Sequence, residues 1–135
     1  MTDWNTAIID EFRANEGVVG GVFSGAPLLI LHSKGAKSGA DRLAPLMYLR
    51  ADDRIYVFAS KAGSESHPDW FYNVKAHPEV SIEIGTDNLS GTAIEIVGDE
   101  RDSVFALQAA AYPKFAEYQN RTDRIIPVFE IATSA

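Results

Sequence analysis

The sequence predicts a single α+β domain built on a small barrel of about six mainly antiparallel strands, with helices at its periphery. Apolar residues recur at every second position in several short segments after residue 27, as strands require. Turn-forming residues separate these segments at short intervals, which favours antiparallel connections over crossovers. The 135 residues suffice for one core but not for two domains, so 1–135 is one unit, with 1–26 an N-terminal helix and glycine-rich connector.

The first element is a helix that Asp3 can cap and that ends near Ala14. Trp4, Ile8 and Phe12 follow one another at four-residue intervals and form one apolar stripe. We expect this stripe to pack on the body of the protein or over a ligand. Peripheral contact with a membrane is the alternative, but interfacial helices favour Lys and Arg on the polar face, which here is mainly acidic. Glycines at 17, 20, 21 and 25 mark the connector that follows.

Three strands come next, at about 28–32, 43–49 and 55–59. Turns at 35–39 and 51–54 join them into an antiparallel meander. Pro45 cannot donate a ladder hydrogen bond, so its strand must be interrupted or must lie at an edge there. Either arrangement leaves neighbouring main-chain groups free to meet a ligand.

The second half of the chain alternates helices and strands. Pro68 is suited to the first position of a helix that runs to about Ala76, because that position needs no N–H donor. Asp99 can cap a helix that runs to about Ala111, and Pro113 starts a further helical turn. The remaining strands are predicted at 80–84, at 89–97 after a turn at 87–88, and at 126–131.

Composition excludes several classes of function. The 12 basic and 19 acidic residues give a net charge of -7, which argues against general nucleic-acid binding. The N-terminus lacks the features of a signal peptide and no run is long enough to span a membrane, so we expect a cytoplasmic protein. There is no cysteine, and the three histidines lack metal-ligand spacing, so we expect no metal.

Three cations in this acidic chain lie near predicted turns and strand ends: Lys37, Arg42 and Lys61. Gly35 and Gly39 allow the chain to reverse and to bring backbone N–H groups close to an anion. This pattern suggests a ligand that carries phosphate. A solvated hairpin turn is the plain alternative for this segment taken alone.

Side-chain chemistry is sparse elsewhere. No serine lies in a G-x-S-x-G elbow, and paired carboxylates such as Asp52-Asp53 fall at predicted turns. No G-x-G-x-x-G follows a strand, so a Rossmann site is not supported. An enzyme of this composition would need a cofactor to carry its reaction.

The ordered segments GAKSGADR, APLMYL, ASK, HPDWFYN, AHPEV and AYPKFAEYQNRTDRIIPVFE resemble the deazaflavin-dependent nitroreductase family. The resemblance covers roughly residues 27 to 131. Members of this family use coenzyme F-420, an 8-hydroxy-5-deazaflavin that carries phosphate and a glutamate tail. The resemblance implies a split β-barrel, similar to that of the flavin-mononucleotide oxidases.

The resemblance also implies which residues bind the coenzyme. Lys37, Arg42 and Lys61 would hold its phosphate and acidic tail, and Trp70 would pack behind the ring. The backbone around Pro45 and around Ser60 would face the ring. The full implied set comprises Lys37, Ser38, Arg42, Pro45, Leu46, Met47, Ala59, Ser60, Lys61 and Asn73.

By the same resemblance, Tyr112, Phe115 and Tyr118 line the pocket of a small-molecule acceptor, and the two tyrosines are the catalytic candidates. Reduced coenzyme would pass a hydride to a quinone, an enone or a nitro compound. Relatives carry tyrosine where this chain has Phe115, which weighs against nitroimidazole activation. Two alternatives stay open: a flavin-mononucleotide enzyme of the same fold, and a non-catalytic coenzyme carrier or sensor.

Overall fold

The computed structural model describes residues 4–17, 27–51 and 53–133. The predicted cap Asp3, the side chain of Trp4, Asp52 and the connector glycines 20, 21 and 25 lie outside the described residues. Four helices are present: α1 (Trp4–Ala14), α2 (Asp69–Ala76), α3 (Gly98–Ala111) and α4 (Lys114–Asn120). Six strands are present: β1 (Leu28–Lys34), β2 (Asp41–Ala51), β3 (Arg54–Phe58), β4 (Glu79–Ile84), β5 (Asp87–Ile96) and β6 (Val128–Thr133). A short 3₁₀ helix spans Lys61–Gly63.

The strands close into a barrel in the order β1-β2-β3-β6-β5-β4. Every neighbouring pair is antiparallel, and β4 returns to β1 with Ile30 opposite Glu83 and His32 opposite Ser81. Closure removes the free edges that an open sheet would present. The predicted six-stranded antiparallel barrel with peripheral helices is therefore confirmed.

β2 divides its pairing between two neighbours. It pairs with β1 from Asp41 to Met47 and with β3 from Tyr48 to Ala51. Pro45 lies opposite Ile30 in a continuous strand, so the expected interruption is wrong. The alternative, an edge position, holds at Pro45 itself: this residue pairs with β1 on one side and has no β3 partner on the other.

Several predicted boundaries are wrong by one or two residues. The last strand, predicted at 126–131, is β6 and spans Val128–Thr133. Pro68 is not the first helical residue: it is the N-cap of α2, in an extended conformation with φ -67° and ψ 156°. Asp99 does not cap α3, since that helix begins at Gly98 after Val97. Asp87 already belongs to β5, because the turn before it is made at 85–86, where Gly85 has φ +58°.

The core is divided by the two-residue period of the strands. Alternate strand residues face the barrel interior, where Leu29, Leu31 and Val57 are fully buried. The intervening residues Tyr56 and Phe58 face outward and form a second cluster under α3 and α4. The barrel wall thus carries apolar side chains on both faces, which lets the helices dock on it.

Helix α1 is held against the barrel by apolar and ionic contacts. Ile8, Ile9 and Phe12 are buried in a third cluster with residues of β1, as predicted for this stripe. At the end of the helix, Arg13 donates two hydrogen bonds of 2.9 and 2.7 Å to the carboxylate of Glu83. Within the described residues, no helix is long and apolar enough to cross a membrane.

The Glu83 carboxylate makes α1 docking dependent on pH. Its hydrogen bond from Arg13, followed by one with His32, lowers the pKa of Glu83 below the ordinary value. A lowered folded-state pKa stabilises the protein above the unfolded value of about 4.5, and the effect is lost as pH falls through the folded value.

We predict that Glu83→Gln lowers the free energy of unfolding by about 1 kcal/mol near neutral pH, because Arg13 is half exposed and solvent screens the pair. Urea unfolding at several pH values measures the effect. The difference from wild type should vanish in acid, and Glu79→Gln, at an exposed position of the same strand, is the control. A difference that persists undiminished below the pKa of Glu83 would contradict the assignment.

Candidate functional site

A cleft of about 1260 Å³ opens beside the first half of β2. Its walls are the loop between β1 and β2, the start of β2, Lys61 and helix α2. The lining residues that bear on its chemistry are Gly35, Lys37, Ser38, Arg42, Lys61 and Asn73. The sequence motif GAKSGADR and the helix of HPDWFYN, distant in the chain, therefore meet at one opening.

The loop between β1 and β2 is held in a tight reversal by its own backbone. The N–H of Gly39 donates to the carbonyl of Gly35 at 2.8 Å, and the N–H of Gly35 donates to the carbonyl of Ala40 at 2.7 Å. Ser38 Oγ accepts the N–H of Ala40 at 3.1 Å. A Cβ on Gly35 would lie 2.6 Å from Ser38 Oγ, so a larger residue here would displace the Ser38 hydroxyl.

Asn73 connects this loop to α2. Its buried side-chain Oδ1 accepts the N–H of Ala36 at 3.0 Å. Asn73 thus shapes the loop by accepting from a partly buried main-chain N–H that would otherwise lack an acceptor. Its neighbour Trp70 is buried against Phe129 of the barrel and also lines the cleft.

The charge of the cleft is opposite to that of the chain. Among the described residues, four cations line it, Lys37, Arg42, Lys61 and Lys75, against the single carboxylate of Asp69. Lys75 is paired with Glu95 at 2.6 Å, which lies outside the lining. A chain with a net charge of -7 therefore gathers positive charge at this opening, as an anionic ligand requires.

The cleft contains half of the residues that the resemblance implied for coenzyme binding: Lys37, Ser38, Arg42, Lys61 and Asn73. Ser60 adjoins it as the N-cap of the 3₁₀ helix, and Ala59 is fully buried. Pro45, Leu46 and Met47 follow the lining segment of β2. Leu46 packs against the interior cluster, and Met47 packs against the second and third clusters.

The three aromatic residues assigned to the acceptor pocket occupy the second apolar cluster. Phe115 is buried, with ring centroids 5.6 Å from Phe58 and 5.3 Å from Tyr118. Tyr112 is partly buried at the end of α3. Within the described residues, the lining of the cleft includes none of the three. Their contact with an acceptor stays a prediction.

Helix α4 nevertheless adjoins the 3₁₀ helix that begins at Lys61. The backbone of Tyr118 lies so close to Gly63 that a Cβ there would come within 2.7 Å of the Tyr118 carbonyl oxygen. Gly63 also has φ +82°, which disfavours a side chain. The packing of α4 thus helps to define the 3₁₀ helix that begins at Lys61.

Arg124, which the sequence analysis did not single out, makes the densest set of contacts near the cleft. Its guanidinium donates to the carbonyls of Ser64 at 2.8 Å, Ala59 at 3.1 Å and Ser60 at 2.9 Å. It also lies 3.2 Å from Nδ1 of His67. No local sequence pattern marks a single arginine before a strand as a structural residue. Its partners are about sixty residues away in the sequence.

The contact with Arg124 defines the state of His67. A guanidinium can only donate, so Nδ1 accepts and the proton of the neutral ring resides on Nε2. Burial, followed by the charge of Arg124, lowers the pKa of His67 below its ordinary value. The ring stacks on Phe71 with centroids 4.0 Å apart, which places it at the start of α2.

No metal centre is formed by the residues that the structure describes, since no three His, Asp or Glu side chains are placed to share an ion. The cleft has the positive charge, the glycine-bearing loop and the volume to hold an anionic organic group.

Comparison with known proteins gives consistent matches. A family model described as F420H(2)-dependent quinone reductase matches residues 4–132. An F420H(2)-dependent quinone reductase of Mycobacterium tuberculosis is 35% identical over 121 residues, which is 87% of this chain and 81% of that protein.

Solved structures agree with this match. The structure of an F420-H2 dependent reductase, FDR-A, is 44% identical with a TM-score of 0.72, over 78% of this chain and 93% of that one. The haem storage protein HutZ of Vibrio cholerae has a TM-score of 0.63 at 14% identity, over 97% and 91% of the two chains, and shares the fold alone.

We predict that Asn73→Leu lowers the free energy of unfolding by about 1–3 kcal/mol, because the Ala36 N–H loses its acceptor. Amide hydrogen exchange should show faster exchange at Ala36. Asn73→Asp, which keeps an oxygen at the same position, is the matched control and should preserve more of that protection. Unchanged exchange at Ala36 in the leucine variant would show that the hydrogen bond does not hold the loop.

Proposed function

The chain belongs to the F420H(2)-dependent quinone reductase family, and we propose that its cleft binds coenzyme F-420, from which a hydride passes to a quinone. The protein is then an oxidoreductase that works on the reduced coenzyme. The observation that carries the proposal is the positive cleft of an acidic chain, with a glycine-shaped loop at its wall.

The residues of the cleft fit a ligand that carries a phosphate and carboxylates. Lys37, Arg42 and Lys61 reach the opening from the loop before β2, from β2 and from the 3₁₀ helix, so three cations are available to the anionic groups of one ligand. The space that a Cβ on Gly35 would fill is left to the loop's own Ser38 hydroxyl. Charge-assisted hydrogen bonds of this kind are about twice as strong as neutral ones.

The chain's own groups orient the ligand and exclude water. Asn73 keeps the loop closed through Ala36, and Trp70 provides a buried wall of the cleft. Backbone groups around Pro45 to Met47 and Ala59 to Lys61 are proposed to face the ring, since the first half of β2 has no β3 partner there. Ser38 and Ser60 are proposed as hydroxyl contacts.

When bound, the reduced coenzyme supplies a hydride from C5 of its deazaflavin ring. Reduction of a quinone to the hydroquinone takes that hydride and one proton for two electrons in all. Tyr112 and Tyr118 are the proposed donors to the acceptor oxygen, because a phenol hydroxyl can donate a hydrogen bond. Positioning of the two reactants then supplies most of the rate.

Two other functions make different demands on the same cleft. A flavin-mononucleotide enzyme of this fold needs one phosphate site, whereas three separated cations suit a longer polyanion. A coenzyme carrier or sensor would bind F-420 without turnover. Enones and nitro compounds are proposed as further acceptors beside quinones.

We predict that oxidised F-420 binds the purified protein with low-micromolar or tighter affinity and that flavin mononucleotide binds much more weakly. Isothermal titration with each coenzyme, and with NADP, measures this order. Turnover with reduced F-420 and a quinone separates an enzyme from a carrier. Preference for flavin mononucleotide would overturn the proposal.

The same titration tests the cations. Lys37→Ala, Arg42→Ala and Lys61→Ala should each weaken binding of F-420 roughly tenfold or more, the effect of losing a charge-assisted contact. Added salt should weaken wild-type binding as well, because these side chains are exposed. Arg50→Gln, which removes a charge from an exposed position where β2 pairs with β3, is the control. Equal affinity in all three variants would move the anion site elsewhere.

We predict that Tyr112→Phe or Tyr118→Phe slows quinone reduction while the affinity for F-420 stays nearly unchanged, because each removes one hydroxyl and keeps the ring. Phe115→Tyr should shift acceptor preference towards nitro compounds. Stopped-flow oxidation of bound reduced coenzyme gives the hydride-transfer rates. Tyr56→Phe, a buried phenol of the same cluster on β3, is the control. Equal rates in wild type and all three variants would leave these aromatics as packing residues.

A further inference from the structure

Arg124 donates hydrogen bonds to backbone carbonyls on both sides of Lys61 in the sequence. The carbonyls of Ala59 and Ser60 precede Lys61 and that of Ser64 follows it, and all three accept from the same guanidinium. A planar fork with five donors matches such a set of acceptors, whereas a lysine ammonium does not. The segment from 59 to 64 is thereby wrapped around one side chain.

Lys61 has a backbone conformation that needs such support. Its φ is +45°, in the left-handed region that residues other than glycine rarely adopt. Residues in this region persist only when surrounding contacts hold them, and they concentrate at functional sites. The Lys61 side chain itself donates a hydrogen bond of 3.2 Å from Nζ to Ser66 Oγ.

The backbone around Arg124 is itself held by hydrogen bonds to side chains of α3 and α4. Its carbonyl accepts from Nε2 of Gln119 at 2.7 Å, and Oε1 of Gln119 accepts from the buried Arg101 at 2.7 Å and from the N–H of Ile126 at 3.0 Å. Arg101 also donates to the carbonyl of Ile126. Helices α3 and α4 thus hold the backbone of Arg124 while its side chain reaches across to the segment at 59–64.

From this geometry we infer that Arg124 is a positioning residue for the coenzyme site, acting through Lys61. It does not line the cleft itself. Its fork holds the backbone on both sides of Lys61, so the ammonium is presented to the cleft. The inference rests on the proposed function, since it concerns how the same cleft holds F-420.

The pKa of His67 reports whether the Arg124 guanidinium is in place beside the segment at 59–64. Its Nδ1 faces Arg124, its ring stacks on Phe71 of α2, and Glu95 of β5, paired with Lys75, is the nearby acid. Loss of the Arg124 charge should therefore raise the pKa of His67 towards its ordinary value. Burial will keep that pKa somewhat lowered, because burial is the larger cause.

The test is a double-mutant cycle on the affinity for oxidised F-420, with Arg124→Gln and Lys61→Asn. Asparagine tolerates the left-handed conformation, so it removes the ammonium with little added strain. Each single variant should bind about tenfold more weakly, and the double variant should also be only about tenfold weaker, because both changes remove one contact. Independent effects would instead multiply to about a hundredfold.

Further measurements separate positioning from plain structural support. In Arg124→Gln the KM for reduced coenzyme should rise about tenfold while kcat at saturation stays near wild type, whereas a loss of folded protein would lower kcat alone. NMR titration should show the raised pKa of His67. Arg124→Lys keeps the positive charge but lacks the planar guanidinium, and it should show the same rise in KM. This variant tests the inference even if Arg124→Gln does not fold.

Multiplicative losses in the cycle, or unchanged affinity in Arg124→Gln and Arg124→Lys, would overturn the inference while wild-type binding of F-420 leaves the proposed function intact. Failure of the wild type to bind F-420 would overturn both. Arg50→Gln is again the control for loss of a cation, and its affinity should equal that of the wild type.

Discussion

β2 pairs with β1 from Asp41 to Met47 and with β3 from Tyr48 to Ala51, and the cleft lies beside the half that β3 leaves open. Pro45 lies in that half, where β2 forms no hydrogen bonds with β3, so a residue without an N–H costs no hydrogen bond to that strand. The loop before β2, the 3₁₀ helix after β3 and helix α2 all border the same opening. The division of one strand between two neighbours thus determines where the site can be.

The shape of the opening depends on main-chain groups held by side chains from elsewhere in the fold. Asn73 holds the loop between β1 and β2 through the N–H of Ala36, and Arg124 holds the segment at 59–64 through its carbonyls. The chain's net charge of -7 opposes a polyanion at long range, but salt screens that repulsion beyond about 10 Å. The proposed contacts to Lys37, Arg42 and Lys61 act at shorter range, where this repulsion can be offset.

Much of the fold could be predicted from sequence because its signals are local. The two-residue period of apolar side chains predicted all six strands, and Gly35 and Gly39 predicted the loop that carries Lys37. Helix starts were misplaced by one residue at α2 and by two at α3, because proline and aspartate are acceptable at several positions of a helix start. Arg124 and its contact with His67 could not be predicted, since they join residues 57 apart in the chain. The acceptor contacts of Tyr112 and Tyr118 remain a prediction of the family resemblance.

The central claim is that F-420 lies in the cleft beside β2, and amide NMR of the protein titrated with oxidised coenzyme tests it most directly. The account predicts that the largest shift changes fall on the loop at 35–40, on Lys61 and its neighbours, and on the first turn of α2. It also predicts little change at Arg13 and Glu83, on the surface where α1 meets β4. Large changes at that surface, with the loop at 35–40 unaffected, would contradict the account.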